Sequence, residues 1–309
     1  MTIRSVSRAR VLVPVCLLVA AGAVVAVLQE RSGGVGSSPR MSVVVSDTTS
    51  SVPAVATATP AVTPVAVPTA SALGADAALR SAVDGAGGTV SVAIADLGTG
   101  RSLTYGGSGH GFATASIVKV DILSALLLQA QDDGTRLTDS QRDLAATMIE
   151  NSDNDAATAL WDAIGGETGL NSANARFGLT STEAGEGGYW GLTSSTADDQ
   201  LRLLRQVFTG ESLLTPVSRA YVQELLDQVE DDQRWGVGAA ASNGGFTVKN
   251  GWLPRDTDDL WVMNSIGRVE RDGHELLIAV VSDGNPSEAE GTALVESVAR
   301  SAAEALEGA

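Results

Sequence analysis

Two lysines stand in the chain, Lys119 and Lys249, against eighteen arginines. Arginine serves wherever a fixed positive charge is enough, because its guanidinium keeps its proton. Lysine gives its proton up once its surroundings depress its pKa, so these two positions are candidates for work that arginine cannot do. Lys119 closes the pattern Ser116-Ile117-Val118-Lys119, and Lys249 opens Lys249-Asn250-Gly251. The residues around and after Ser116 (Ile117, Val118, Val120, Ile122, Leu123, Leu126) read as a helix that is apolar nearly all round, and therefore buried. Three residues is one turn along the same helical face, so the Lys119 amine is expected to reach the Ser116 hydroxyl. Burial and the positive helix end both favour the neutral amine. A neutral amine beside a hydroxyl is a general base beside its nucleophile. The same four letters also fit a serine N-cap followed by a snorkelling lysine.

Ser152-Asp153-Asn154 falls between two helical runs, 140–150 and 155–164. Taken alone it is a helix cap. Beside Ser116 and Lys119 it offers a second hydroxyl able to relay a proton to a leaving amine. Asn154 would then donate to a substrate carbonyl or hold Lys119 in place. Lys249-Asn250-Gly251 ends a strand that alternates through Phe246 and Val248. Gly251 removes a side chain, so a substrate can lie against the strand, and Lys249 supplies charge for a substrate carboxylate and for the second hydroxyl. Its ordinary reading is an edge-strand lysine before a turn.

The elements that must position these residues follow from periodicity. Residues 76–83 read as a helix ending at a glycine-rich turn, then 90–95 and 102–105 as strands joined through Gly98-Thr99-Gly100. Helical patterns fill the next hundred residues. Strands return at 246–250, 260–269 and 276–282, with Asp272-Gly273 as a hairpin turn, and an amphipathic helix closes the chain at 288–306. Two strands early, three late and helices between predict an α/β (α+β) fold. One five-stranded antiparallel sheet is flanked by the terminal helices and carries an inserted helical lobe, with a cleft between the two.

Ahead of this domain, at 73–309, two segments differ in composition. Arg4, Arg8 and Arg10 precede an apolar run at 11–28, which makes residues 1–31 a signal anchor, or a signal peptide cut near Ala21-Gly22-Ala23. Residues 32–72 are rich in Pro, Thr, Ala and Ser and read as an extended tether. The domain is thus expected outside the cytoplasmic membrane, its one membrane contact being the N-terminal segment. Cys16, the only cysteine, lies in that apolar run without the small residue a lipoprotein signal places before it, so a lipid anchor is not expected.

The formal charge is −17, and the stretch before Asp76 holds five arginines against two acids, leaving −20 for the rest. Such acidity argues against nucleic acid as a partner. With two histidines, His110 and His274, both in turn-like contexts, and no cysteine in the domain, no metal or other cofactor is expected. The chain is expected to act as a monomer.

Taken together, Ser116-x-x-Lys119, Ser152-Asp153-Asn154 and Lys249-Asn250-Gly251 give the chain, from about Leu73 onward, the pattern of the class A β-lactamases and penicillin-binding proteins, which it resembles. The run Met148 to Ala157 is similar to that family's helix junction, and Thr193-Ser194-Ser195-Thr196-Ala197-Asp198 to the start of the helix after its active-site loop. The resemblance implies acyl transfer on a β-lactam or a peptidoglycan stem peptide. Ser116 would attack, Lys119 would take the proton, Ser152 and Lys249 would return it to the leaving nitrogen, and the Ser116 and Trp252 amides would form the oxyanion hole. Three departures stand out. Family members with fast turnover carry a Glu-x-x-x-Asn loop, whereas Gly187 lies four residues after Glu183 and Trp190 four after Glu186. These two glutamates are the candidate deacylation bases. Asn250 stands where the family has Thr or Ser, and the first two motifs lie closer together than in typical members. The resemblance therefore implies β-lactam hydrolysis at a slow rate, with a D,D-carboxypeptidase or a non-turnover penicillin- or cell-wall-peptide-binding protein as the alternative. Arg255 and Arg268 are the candidates to grip a substrate carboxylate. A Ser-His-Asp hydrolase built on Gly106-Gly107-Ser108-Gly109 is the rival from another class.

Overall fold

A single sheet with strand order β2-β1-β7-β6-β5, every neighbour antiparallel, organises the chain. Its strands are β1 (Thr89–Asp96), β2 (Ser102–Gly106), β5 (Phe246–Pro254), β6 (Trp261–Arg271) and β7 (His274–Asn285). The computed structural model describes residues 76–308 apart from 243, 256 and 258. The apolar segment and the tether expected at 1–31 and 32–72 lie outside the described residues. Among those described, no helix is long and apolar enough to cross a membrane.

The strands form where the sequence alternates or turns wholly apolar. β1 is buried from Val90 to Asp96 because it has neighbours on both edges and cover on both faces. Asp272 and Gly273 both take positive φ, 49° and 86°, which is the hairpin geometry that Asp-Gly favours. β5 runs to Pro254, further than the alternation indicated, and stays paired with β6 throughout. A proline at the end of an edge strand removes no ladder bond.

Helices cover both faces. On one lie α1 (Ala77–Asp84), N-capped by Asp76, and α8 (Glu288–Glu307), which buries Val295, Val298, Ala299 and Ala302. On the other lies α6 (Ala197–Phe208), N-capped by Thr196. The inserted lobe adds α2 (Val118–Asp132), α3 (Asp139–Glu150), α4 (Asn154–Ala163), α5 (Gly166–Phe177) and α7 (Pro216–Asp227). Helix α2 is its axis: every residue from Val118 to Leu128 is buried, against α3, α4, α5 and α7. The sheet and lobe expected from the strand order are those observed. A two-residue ribbon, β3 (Phe112–Ala113) with β4 (Ser194–Ser195), joins the two halves beside Ser116 and has no periodic signal in the sequence.

Candidate active site

Ser116 lies on a 3-10 turn, Ala115–Ile117, and α2 proper begins only at Val118. It is therefore not the side-chain cap of a long helix. Ala115 holds φ at 47°, a left-handed conformation costing about 1–2 kcal/mol for a residue with a side chain. Two strands fix this turn. A methyl group at Gly251 would stand 2.6 Å from Ser116 N and 2.7 Å from Ile117 N, so β5 meets the turn backbone to backbone. Asn264, directly across from Gly251 on β6, donates from Nδ2 to the carbonyls of Ala113 (2.8 Å) and Thr114 (2.9 Å). Its Oδ1 accepts from Ser282 N at 3.0 Å, so one buried amide ties the nucleophile's turn to the sheet.

The second hydroxyl stands between the two lysines. Ser152 Oγ is 3.1 Å from Lys119 Nζ and 3.0 Å from Lys249 Nζ. The loop between α3 and α4 presents it, with Ser152 at φ 55° and Asp153 capping α4. Lys119 also donates to Ser152 O (2.5 Å) and to Asn154 Oδ1 (2.8 Å). These two partners only accept, so they saturate the two N–H groups of a neutral amine and leave its lone pair toward the Ser152 hydroxyl. Both lysines are fully buried. Burial pulls Lys119 down to about 8, against the opposing pull of the Asp153 carboxylate. Burial, reinforced by the charge of Lys119, pulls Lys249 down to about 7.

The direct contact expected between Lys119 and Ser116 is absent. Ser116 is half-buried, its hydroxyl makes no hydrogen bond, and Lys119 turns its amine to Ser152 and Asn154.

Strand alternation separates the other third-motif residues. Lys249 and Gly251 face the Ser116 turn, while Asn250 and Trp252 point the other way. Asn250 spends both amide hydrogens on Gln233 O (2.8 Å) and Trp235 O (2.9 Å), so the donor expected for a substrate carboxylate is already occupied. The Trp252 ring packs edge-on against Trp235, with centroids 5.8 Å apart.

Trp190 is partly buried and packs against the core. Its ring lies over Lys119, 5.0 Å from centroid to Nζ, and its Nε1 donates to Thr158 Oγ1 at 3.1 Å, pinning the 185–193 loop to α4. Glu186 lies on this loop and Glu183 just before it, but both are exposed and neither carboxylate enters a hydrogen bond or ion pair among the described residues. Glu183 is held by its backbone to Ser194, which points its side chain outward. Among the described residues neither glutamate is bonded to Lys119. Arg268 is claimed by Glu270 and Glu275, which removes it as a carboxylate anchor; Arg255 is exposed beyond the end of β5. In the rival site, Ser108 is exposed and unbonded, and His110 pairs with Asp283 (2.7 Å), leaving no serine–histidine contact.

Comparison with known proteins gives the family and the fold. A model of the β-lactamase enzyme family matches residues 139–306. The chain is 31% identical over 185 residues to "Putative lipoprotein LppW" of Mycobacterium tuberculosis and of Mycobacterium bovis, covering 57% of this chain and 58% of those proteins. It thus spans little more than half the length of these relatives. Among solved structures, a mutant of PBP-A in acyl-enzyme complex with penicillin G superposes with TM-score 0.63 at 22% identity, over 75% of this chain and 95% of that one. A β-lactamase from Xanthomonas campestris gives TM-score 0.61 at 22% identity, over 75% and 97%. An ancestral class A β-lactamase gives TM-score 0.61 at 22% identity, over 74% and 98%. At these identities the structures establish the fold, and the match over more than half the chain establishes that it belongs to the β-lactamase enzyme family.

Proposed function

We propose that the protein is a serine acyl-transfer enzyme that opens β-lactams through an ester on Ser116 and hydrolyses that ester slowly. The observation that carries this reading is the Ser152 hydroxyl held between two buried amines, 3.1 and 3.0 Å away, beside a turn on which Gly251 and Asn264 fix Ser116. Ser116 Oγ attacks the lactam carbonyl carbon and its proton passes to the neutral Lys119 amine. The amides of Ser116 and Trp252 receive the developing oxyanion; such donors are worth about 3–4 kcal/mol each. As the carbon–nitrogen bond breaks, Ser152 gives its proton to the departing nitrogen and regains one from a lysine. Water then attacks the ester carbonyl, the acid leaves and Ser116 recovers its hydrogen. Asn154 holds Lys119 in place.

A second reading, a D,D-carboxypeptidase or a protein that binds penicillin or wall peptide without turnover, is favoured by one observation. Trp190, rather than a carboxylate, lies against Lys119. In either case the substrate is a small molecule or a peptidoglycan stem peptide, and the domain works outside the cytoplasmic membrane, tethered by its N-terminal segment. The name of the mycobacterial relatives supports that location.

Intact-mass measurement on the full-length chain with benzylpenicillin tests both readings. A Ser116 adduct that decays with release of opened product supports slow hydrolysis. An adduct that persists without product selects the second reading. Absence of any adduct, in the wild type as in Ser116→Ala, overturns acyl transfer.

A further inference from the structure

Away from the two lysines, α2, α3 and α7 enclose a cavity of about 490 Å³, within the usual range of small-molecule pockets. Its walls are apolar: Leu127 from α2, Leu137 ahead of α3, and Val217 and Tyr221 from α7. Leu127 lies eight residues beyond Lys119, about 12 Å along the helix at 1.5 Å per residue, so this space is separate from the acyl-transfer site.

The polar groups in its wall already have partners. Gln131 donates to Leu213 O (3.0 Å) and accepts from Thr215 N (2.8 Å) and Ser218 Oγ (2.8 Å). Tyr221 OH donates to Arg142 O (3.1 Å), and Arg142 itself reaches Leu137 O and the Asp139 carboxylate. A ligand body resting here therefore gains by being apolar. Arg136 is the exception: it lines the cavity, is exposed, and enters no hydrogen bond or ion pair. Two neighbouring carboxylates are occupied elsewhere, Asp132 by Arg176 and Asp139 by Arg142. The first turns of two twelve-residue helices, α3 and α7, also end at the pocket and add positive potential. Asp133, three residues before Arg136, has no ion-pair partner among the described residues either, but the lining of the cavity itself holds two arginines and no acid.

We propose that this pocket binds a small amphiphilic carboxylate, its compact apolar body between Leu127, Leu137, Val217 and Tyr221 and its head group on the Arg136 guanidinium.

The test is equilibrium dialysis of the full-length chain held in lipid nanodiscs, with empty discs as blank and 2-naphthoate as probe. One saturable site per chain is expected for naphthoate, with the uncharged 2-naphthamide at least about tenfold weaker. Arg136→Gln should weaken naphthoate about tenfold, leave naphthamide unchanged and melt like the wild type, because Arg136 holds no partner to lose. Ala130→Phe, which fills the hollow, should abolish both. No saturable uptake, equal affinity for acid and amide, or wild-type affinity in Arg136→Gln would overturn the proposal. So would light scattering that shows chains paired through the exposed Val217 face. Binding is read without any chemistry at Ser116, so failure here and failure of the acyl-transfer reading are told apart.

Discussion

The Trp190 ring lies over the Lys119 amine with 5.0 Å between centroid and nitrogen. The indole covers one side of the amine, and under the acyl-transfer reading it would bar a deacylating water from that side. Trp190→Ala should shorten the benzylpenicillin adduct's lifetime several-fold, while Trp190→Phe, which keeps a ring face, should preserve it. A mass-spectrometric chase after removal of free drug measures both. Equal lifetimes in all three proteins would show that the indole does not control water.

Proton binding by the two lysines sets a pH dependence with a definite sign. In the unfolded chain both titrate near 10.5, whereas burial brings Lys119 to about 8 and Lys249 to about 7. Between these limits the unfolded state binds more protons, so stability rises with pH. Thermal unfolding should therefore move upward from about pH 7 to pH 10, and Lys249→Met should flatten that slope. The acylation rate should climb across pH 7–8 as the amines lose their protons. A rate that falls through this window would exclude the neutral amine as base. Asp121, raised to about 7 by burial, contributes a change of opposite sign that runs from about pH 4 to about pH 8 and so offsets only the first part of the rise.

Gly251 is required by distance. Alanine there would place a methyl group 2.6 Å from Ser116 N, an overpacking cost of about 1–3 kcal/mol. Gly251→Ala should lower the melting temperature by about 2–4 °C per kcal/mol and reduce acylation at least a hundredfold by shifting the nucleophile. Gly87→Ala, where a methyl meets nothing within 4 Å, is the matched control and should change neither. Normal acylation in Gly251→Ala would mean the turn yields without loss.

Asn264→Ala would leave the carbonyl of Ala113 and the amide of Ser282 without the partner it supplies inside the core, while the Thr114 carbonyl keeps only Ile117 N. Unsatisfied buried groups of this kind cost about 1–3 kcal/mol each. Denaturant unfolding should show a loss of several kcal/mol, with acylation slowed in whatever fraction stays folded. A loss below about 1 kcal/mol would mean that water replaces the amide.

Much of this arrangement was legible because residue type betrayed it. Two lysines among eighteen arginines marked their own positions, and period-two runs early and late marked the sheet. What stayed hidden depends on contacts between distant segments. Asn264 reads as an ordinary strand residue until its partners, about 150 positions away, are known. Asn250 sits inside the third motif, yet alternation aims it at Gln233 and Trp235, which a three-letter pattern does not encode. Ala115 has no propensity for a left-handed turn, so the break before α2 gave no local sign, and the pull of Ser152 and Asn154 on the Lys119 amine comes from a loop 33 to 35 positions away. Glu183 and Glu186 were chosen by nearness in sequence, and the loop directs them to solvent.

Both lysines are sealed inside, each with no exposed surface. Amine-directed reagents such as cyanate or succinimidyl esters therefore find almost nothing to modify on this chain beyond its own α-amino group. Carbamylation beyond that one terminal tag would come from within the cleft, so its slow uptake would report how often that interior opens.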